Sequence, residues 1–120
     1  MLEQRIVENE QWYKMRHWEC MRRAKSEVEP ASGWLFNAIA NKHADAMDNV
    51  PRANFIAREA GDEEEAYVLG KIMPPLLTRV GFERVYSNIQ WIKPIQGWGV
   101  YSPTWDADAE DGMGEISIKD

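Results

Sequence analysis

A chain of 120 residues and 13.9 kDa fits one domain, and folding at this size buries roughly two thirds of the unfolded surface. Its 14 Lys+Arg against 20 Asp+Glu give a formal net charge of -6, which repels nucleic-acid phosphates and excludes a dedicated DNA-binding module. Cys20 has no second cysteine to pair with, the opening MLEQRIVENEQWYKMRHWEC is too charged for a signal peptide, and the longest apolar run, IMPPLL, falls far short of the about 20 residues of a membrane span. Cytosolic synthesis without a transmembrane segment is the expectation.

Leu2, Ile6, Tyr13, Cys20 and Ala24 recur near one helical face, which predicts a first helix over about 2–24. KSEVEPASG ends it, and Ser32 is placed to cap a second helix over 33–48. On that helix Leu35, Phe36, Ile39, Ala40, Ala46 and Met47 share an apolar face. The stretch from Asn54 to Arg58 predicts an extended segment of weak strand character.

Glu63, Glu64 and Glu65 suit the start of a third helix over 62–80, where exposed amides and the macrodipole favour negative charge. Its apolar stripe runs through Ala66, Leu69, Ile72, Met73, Leu76, Leu77 and Val80. Pro74 and Pro75 interrupt that stripe, and an interior proline costs about 3 kcal/mol, so a kink or break is expected there. Phe82, Val85, Tyr86, Ile89 and Ile92 predict a fourth helix over 82–96, closed by Pro94 and a C-cap at Gly97. Beyond it, strands over about 98–106 and 114–119 flank the turn-forming ADAEDGMG. The fold class is therefore α+β: amphipathic helices followed by a C-terminal antiparallel hairpin.

Chemical motifs are sparse. Asp106, Asp108 and Glu110 alternate like the first ligands of a calcium loop, but the sixth place holds Asp111 instead of glycine and the twelfth Ser117 instead of glutamate. An acidic, solvated hairpin turn is the better account. GWG lacks the spacing of either phosphate-binding glycine loop, and Gly99 suits a strand position approached by a backbone or a large ring. His17 and Cys20 lie three apart, yet His43 is the only other histidine, so no closed metal site is expected. His43 falls within the apolar stripe of the second helix and reads as a half-buried histidine satisfied locally. No nucleophile, paired acid or ligand cluster remains, and neither an enzyme nor a cofactor is expected.

Six tryptophans are many for this length. Core packing suits Trp91, Trp98 and Trp105, whereas Trp12, Trp18 and Trp34 lie off any single stripe and are candidates for a partner-facing surface.

RIVENEQWYKMRHWE, NAIANKHADAMDNVPRANFIARE, GDEEEAYVLGKIMP and FERVYSNIQWIKPIQGWGVYSPTWD…GMGEISIKD, in that order, resemble the N-terminal region of tailed-bacteriophage portal proteins, especially those of Firmicutes prophages. The closing pattern is carried by Trp91, Gly97, Gly99, Tyr101, Trp105, Asp106, Gly112 and Gly114. The resemblance implies a structural part of the wing region of a head-tail connector: a homo-oligomeric ring, usually dodecameric, at one capsid vertex. DNA would pass through it during packaging and ejection without sequence-specific binding. It further implies terminase, capsid and head-tail adaptor proteins as partners, no membrane, and location in the virion, with host cytoplasm during assembly. Portals are much longer than this chain, so the expectation is a truncated N-terminal fragment. Pro75 and Pro94 depart from the pattern and predict two loosened helices. The rival expectation is a small stand-alone protein-protein interaction module with a Trp-rich surface.

Overall fold

The computed structural model describes residues 2–19 and 26–119. In chain order it has α1 (Leu2–Tyr13), α2 (Trp34–Asp48), α3 (Glu63–Arg79), α4 (Phe82–Gln96), β1 (Ser102–Asp106), a single 3-10 turn at Glu110–Gly112 and β2 (Glu115–Lys119). Helices followed by a two-stranded antiparallel hairpin make the α+β class expected from the sequence.

The first helix is shorter than its periodicity predicts. It stops at Tyr13 because Met15 takes a left-handed φ of 59° and the chain turns, with Arg16 N–H donating to the Gln11 carbonyl at 2.8 Å. The turn brings the His17 ring to 4.5 Å from that of Trp12. Cys20 and Ala24, the last members of the predicted stripe, lie outside the described residues.

Ser32 does not cap α2. Gly33 holds the N-cap position without any side-chain bond, and its carbonyl accepts from Asn37 N–H at 3.0 Å, so the helix opens on backbone bonding alone. Residues 51–57 form no strand, since no neighbouring strand lies there to satisfy an extended backbone.

The break expected at Pro74 and Pro75 does not interrupt α3. α3 continues through Pro74 and Pro75, and α4 carries Pro94 in its last turn. The two prolines of α3 remove the donors that would reach the carbonyls of Gly70 and Lys71; both residues are exposed, so water can take those acceptors. Gly70 also presents no Cβ on that turn. Val80 and Gly81 alone separate α3 from α4, and Gly81 makes the corner at φ 67°.

α4 is the centre of the molecule: α1, α2, α3 and β2 all pack against it. Among the described residues only Ile39 of α2 and Val85 and Ile89 of α4 are buried, Val85 completely. The remaining stripes are half covered or open. Met73, Leu76, Leu77 and Val80 of α3 are half-buried, while Tyr67, Val68, Leu69 and Ile72, one to two turns earlier, are exposed. The molecule measures 73 × 31 × 25 Å with a radius of gyration of 21.5 Å. A compact chain of this length has about 14 Å.

Candidate functional site

One cluster of aromatic and polar side chains fills the seam between α1, α2 and α4. Trp91 of α4 donates its indole N–H to the hydroxyl of Tyr13 on α1 at 3.1 Å, and the two rings meet edge to face, 6.4 Å apart. Phe36 of α2 closes the group at 5.9 Å from both rings. His43, two turns further along α2, sets its ring 5.1 Å from Trp91 and shares a hydrogen bond of 2.9 Å with the Ser87 hydroxyl. This is the half-buried, locally satisfied histidine that its position in the stripe predicted. Edge-to-face pairs of this kind add about 0.5–1.5 kcal/mol beyond burial, so the cluster works as the latch between the helices.

Ser87 and His43 have the contact of a nucleophile and its base, but a working pair needs a third group to orient the imidazole. Among the described residues Ser87 is the one hydrogen-bond partner of His43. Ser87 lines an open groove of about 1170 Å³ between the end of α2, the chain at 50–53 and the α3–α4 corner. Its charged lining residues, Asp48, Arg52, Glu83 and Arg84, balance in sign. Such a mixed surface selects no charge class of ligand.

The hairpin holds four of the eight residues of the closing sequence pattern, Trp105, Asp106, Gly112 and Gly114. β1 pairs with β2 so that Ser102 faces Lys119, Thr104 faces Ser117 and Asp106 faces Glu115. Thr104 and Ser117 join their hydroxyls at 2.7 Å across the ladder. Asp106 accepts the N–H of Asp108 at 3.1 Å, an Asx turn that starts the reversal, and the left-handed Asp111, Gly112 and Gly114 complete it. Asp106 and Asp108 thus serve the turn, and no group of three or more His, Cys, Asp or Glu able to hold a metal occurs among the described residues. Gly97 ends α4 at φ 90° with its N–H on the Lys93 carbonyl at 2.8 Å, the C-cap read from the sequence.

Gly99 lies outside the strand in which it was expected, since β1 starts only at Ser102. Its close neighbour is Ile89 of the core: a Cβ on Gly99 would stand 2.7 Å from Ile89 Cγ2. A large ring, one of the two neighbours expected at Gly99, covers Gly114 instead, and that ring belongs to Trp105. Tyr101 sets its ring edge to face with Phe82 at 6.1 Å, which fastens the hairpin entry to α4.

The tryptophans divide differently from the expectation. Trp91 is half-buried in the aromatic cluster, but Trp98 and Trp105 are 59% and 63% exposed. Of the three partner-facing candidates, Trp34 is 82% and Trp12 55% exposed, whereas Trp18 is half-buried and donates to the Pro30 carbonyl at 2.9 Å. His17 is half-buried, and Cys20, its suggested co-ligand, lies outside the described residues.

Ion pairs lie on the surface of the described residues. Lys14 meets Glu10 at 2.7 Å, Arg16 meets Glu19 at 3.4 Å, and Arg79 at the end of α3 reaches Glu115 at the start of β2 at 3.1 Å. The hydrogen bond and charge of Lys14 hold the Glu10 carboxyl below the usual glutamate value, with a smaller pull from Arg16. No helix among the described residues is long and apolar enough to cross a membrane. Comparison with protein-family models, with curated proteins and with solved structures finds no match.

Proposed function

We propose that this chain is the wing-side, N-terminal part of a tailed-bacteriophage portal subunit, a non-enzymatic component of the ring through which DNA enters and leaves the capsid. The reading rests on the ordered run of motifs from NKHADAMDN to QGWGVYSPTWD…GMGEISIK. It is supported by how little the chain covers of its own apolar surface. Among the described residues three buried core residues stand against exposed Trp34, Leu35, Phe36, Tyr67, Leu69 and Ile72, as suits a subunit whose faces close against neighbouring copies. The net charge of -6 fits a surface past which DNA slides without adhering. In this role the chain works with terminase, capsid and head-tail adaptor proteins and resides in the virion after assembly in the host cytoplasm.

The decisive experiment is electron microscopy of the complete reading frame containing this segment, expressed together with the products of its flanking genes. Closed rings with an axial channel, beside genes for a terminase and capsid proteins, are expected. Flanks without head-assembly genes, and particles that never close into rings, overturn the reading.

The exposure of Trp34 and Trp12 favours a second reading, a stand-alone protein-interaction module. Under it the chain would bind a protein partner one to one without forming rings, and Trp34→Ala would abolish that binding.

A further inference from the structure

The hairpin has two outer edges, and they differ in chemistry. β1 reads Ser-Pro-Thr-Trp-Asp, with Pro103 unable to donate a backbone hydrogen bond, the usual device for blunting an edge. β2 reads Glu-Ile-Ser-Ile-Lys and contains no such residue. Among the described residues its only strand neighbour is β1, and no backbone hydrogen bond outside that pairing involves Glu115–Lys119.

We infer that the outer edge of β2 is a self-recognition site for the β2 of a second copy, in an antiparallel register centred on Ser117. In that register Glu115 of each copy stands opposite Lys119 of the other, and Ile116 stands opposite Ile118. Each contact occurs twice about the two-fold axis, so two opposite-charge pairs and two apolar pairs form together, with Ser117 against Ser117 at the centre. Cross-strand pairs of both kinds favour the sheet, and like charges directly opposite disfavour it.

The residues are placed for this. Lys119 is exposed, and Glu115 leans on Arg79 at 3.1 Å; a carboxylate has acceptor sites enough for both cations. The same construction fails on β1: centred on Thr104 it sets Ser102 against Asp106 and Pro103 against Trp105, with no charge match. The product is a four-stranded sheet, β1-β2-β2-β1, whose outer edges are the proline-bearing strands. Such a two-fold contact closes at two copies, whereas ring neighbours meet through unlike faces. The pairing is therefore separate from the ring, and its failure would leave the portal reading untouched.

Light scattering coupled to size exclusion over a concentration series of the full chain reads the pairing. A monomer–dimer equilibrium is expected, weakened about tenfold by Lys119→Glu, which sets Glu against Glu twice, and largely restored by adding Glu115→Lys. A second arm places cysteines in a Cys20→Ser background. Facing residues of antiparallel strands have Cα atoms about 4.5–5.5 Å apart, within disulfide reach, so Ser117→Cys should oxidise to a covalent dimer while Ser102→Cys on β1 should not. A chain that stays monomeric up to millimolar concentration overturns the inference. So does a dimer indifferent to charge reversal, or cross-linking through Ser102→Cys in preference to Ser117→Cys.

Discussion

The indole of Trp105 occupies the space that a side chain on Gly114 would need: a Cβ built there would come within 2.6 Å of Cη2. Trp105 stands one residue before β1 ends and Gly114 one before β2 begins, so the contact joins the two sides of the reversal. Gly114 also holds a left-handed φ of 81°.

Gly114→Ala should therefore cost more than a backbone effect alone. Gly112, at φ 88° with nothing within 4 Å, is the control, and its alanine variant should lose about 1–2 kcal/mol through the left-handed conformation. Gly114→Ala should exceed that loss in urea denaturation and change Trp105 fluorescence, and the excess should vanish in a Trp105→Ala background. An equal cost for both glycines would mean that the ring swings away freely.

Gly97 and Gly70 predict opposite signs. Gly97 caps α4 at φ 90°, so Gly97→Ala should destabilise by about 1 kcal/mol, more than the gain from stiffening the unfolded chain. Gly70 lies within α3 with open space at its Cβ, so Gly70→Ala should stabilise by about 0.5–1 kcal/mol. Thermal melting of the two variants beside the parent checks the contrast, and a neutral Gly97→Ala would place the helix end elsewhere.

The bond from Trp91 to the Tyr13 hydroxyl ties the fourth helix to the first across 78 positions of sequence. Tyr13→Phe should cost about 1 kcal/mol, because it strands a half-buried donor. Trp91→Phe should cost more, since it removes ring area as well. A double-mutant cycle should return a coupling of at least about 0.5 kcal/mol. Additive losses would mean that the two rings contribute by packing alone.

Among the described residues Glu10 gives the one clear pH signal. Its pair with Lys14 keeps the carboxyl pKa below the ordinary glutamate value in the folded chain. A lowered folded pKa means that the contribution of the pair is complete above the unfolded value and fades as pH falls through the folded one. Carbon-detected NMR titration should find the Glu10 midpoint depressed, moving back to the ordinary value in Lys14→Met and partly back at high salt. A midpoint unchanged by Lys14→Met would assign the depression to another cause.

Local pattern reached as far as local physics decides. The apolar period of 3.6 marked α2, α3 and α4 nearly to the residue, because an amphipathic stripe is a property of neighbouring positions on one helix. Gly97 was legible for the same reason: a left-handed cap follows from what can stand after the last turn. So was the hairpin turn, where Asp and Gly satisfy a reversal with their own backbone.

Tertiary structure decided everything that depends on who stands opposite whom. The stripe over 2–24 could not announce that Met15 would turn the chain and bring His17 against Trp12. The cost of prolines in α3 depends on water at Gly70 and Lys71, an exposure that no spacing encodes. Nor could composition separate the half-buried ring of Trp91 from the open rings of Trp98 and Trp105. That difference arises because rings from α1 and α2 pack on Trp91 while those of Trp98 and Trp105 stay open, and an aromatic ring is buried only where a second surface exists to cover it.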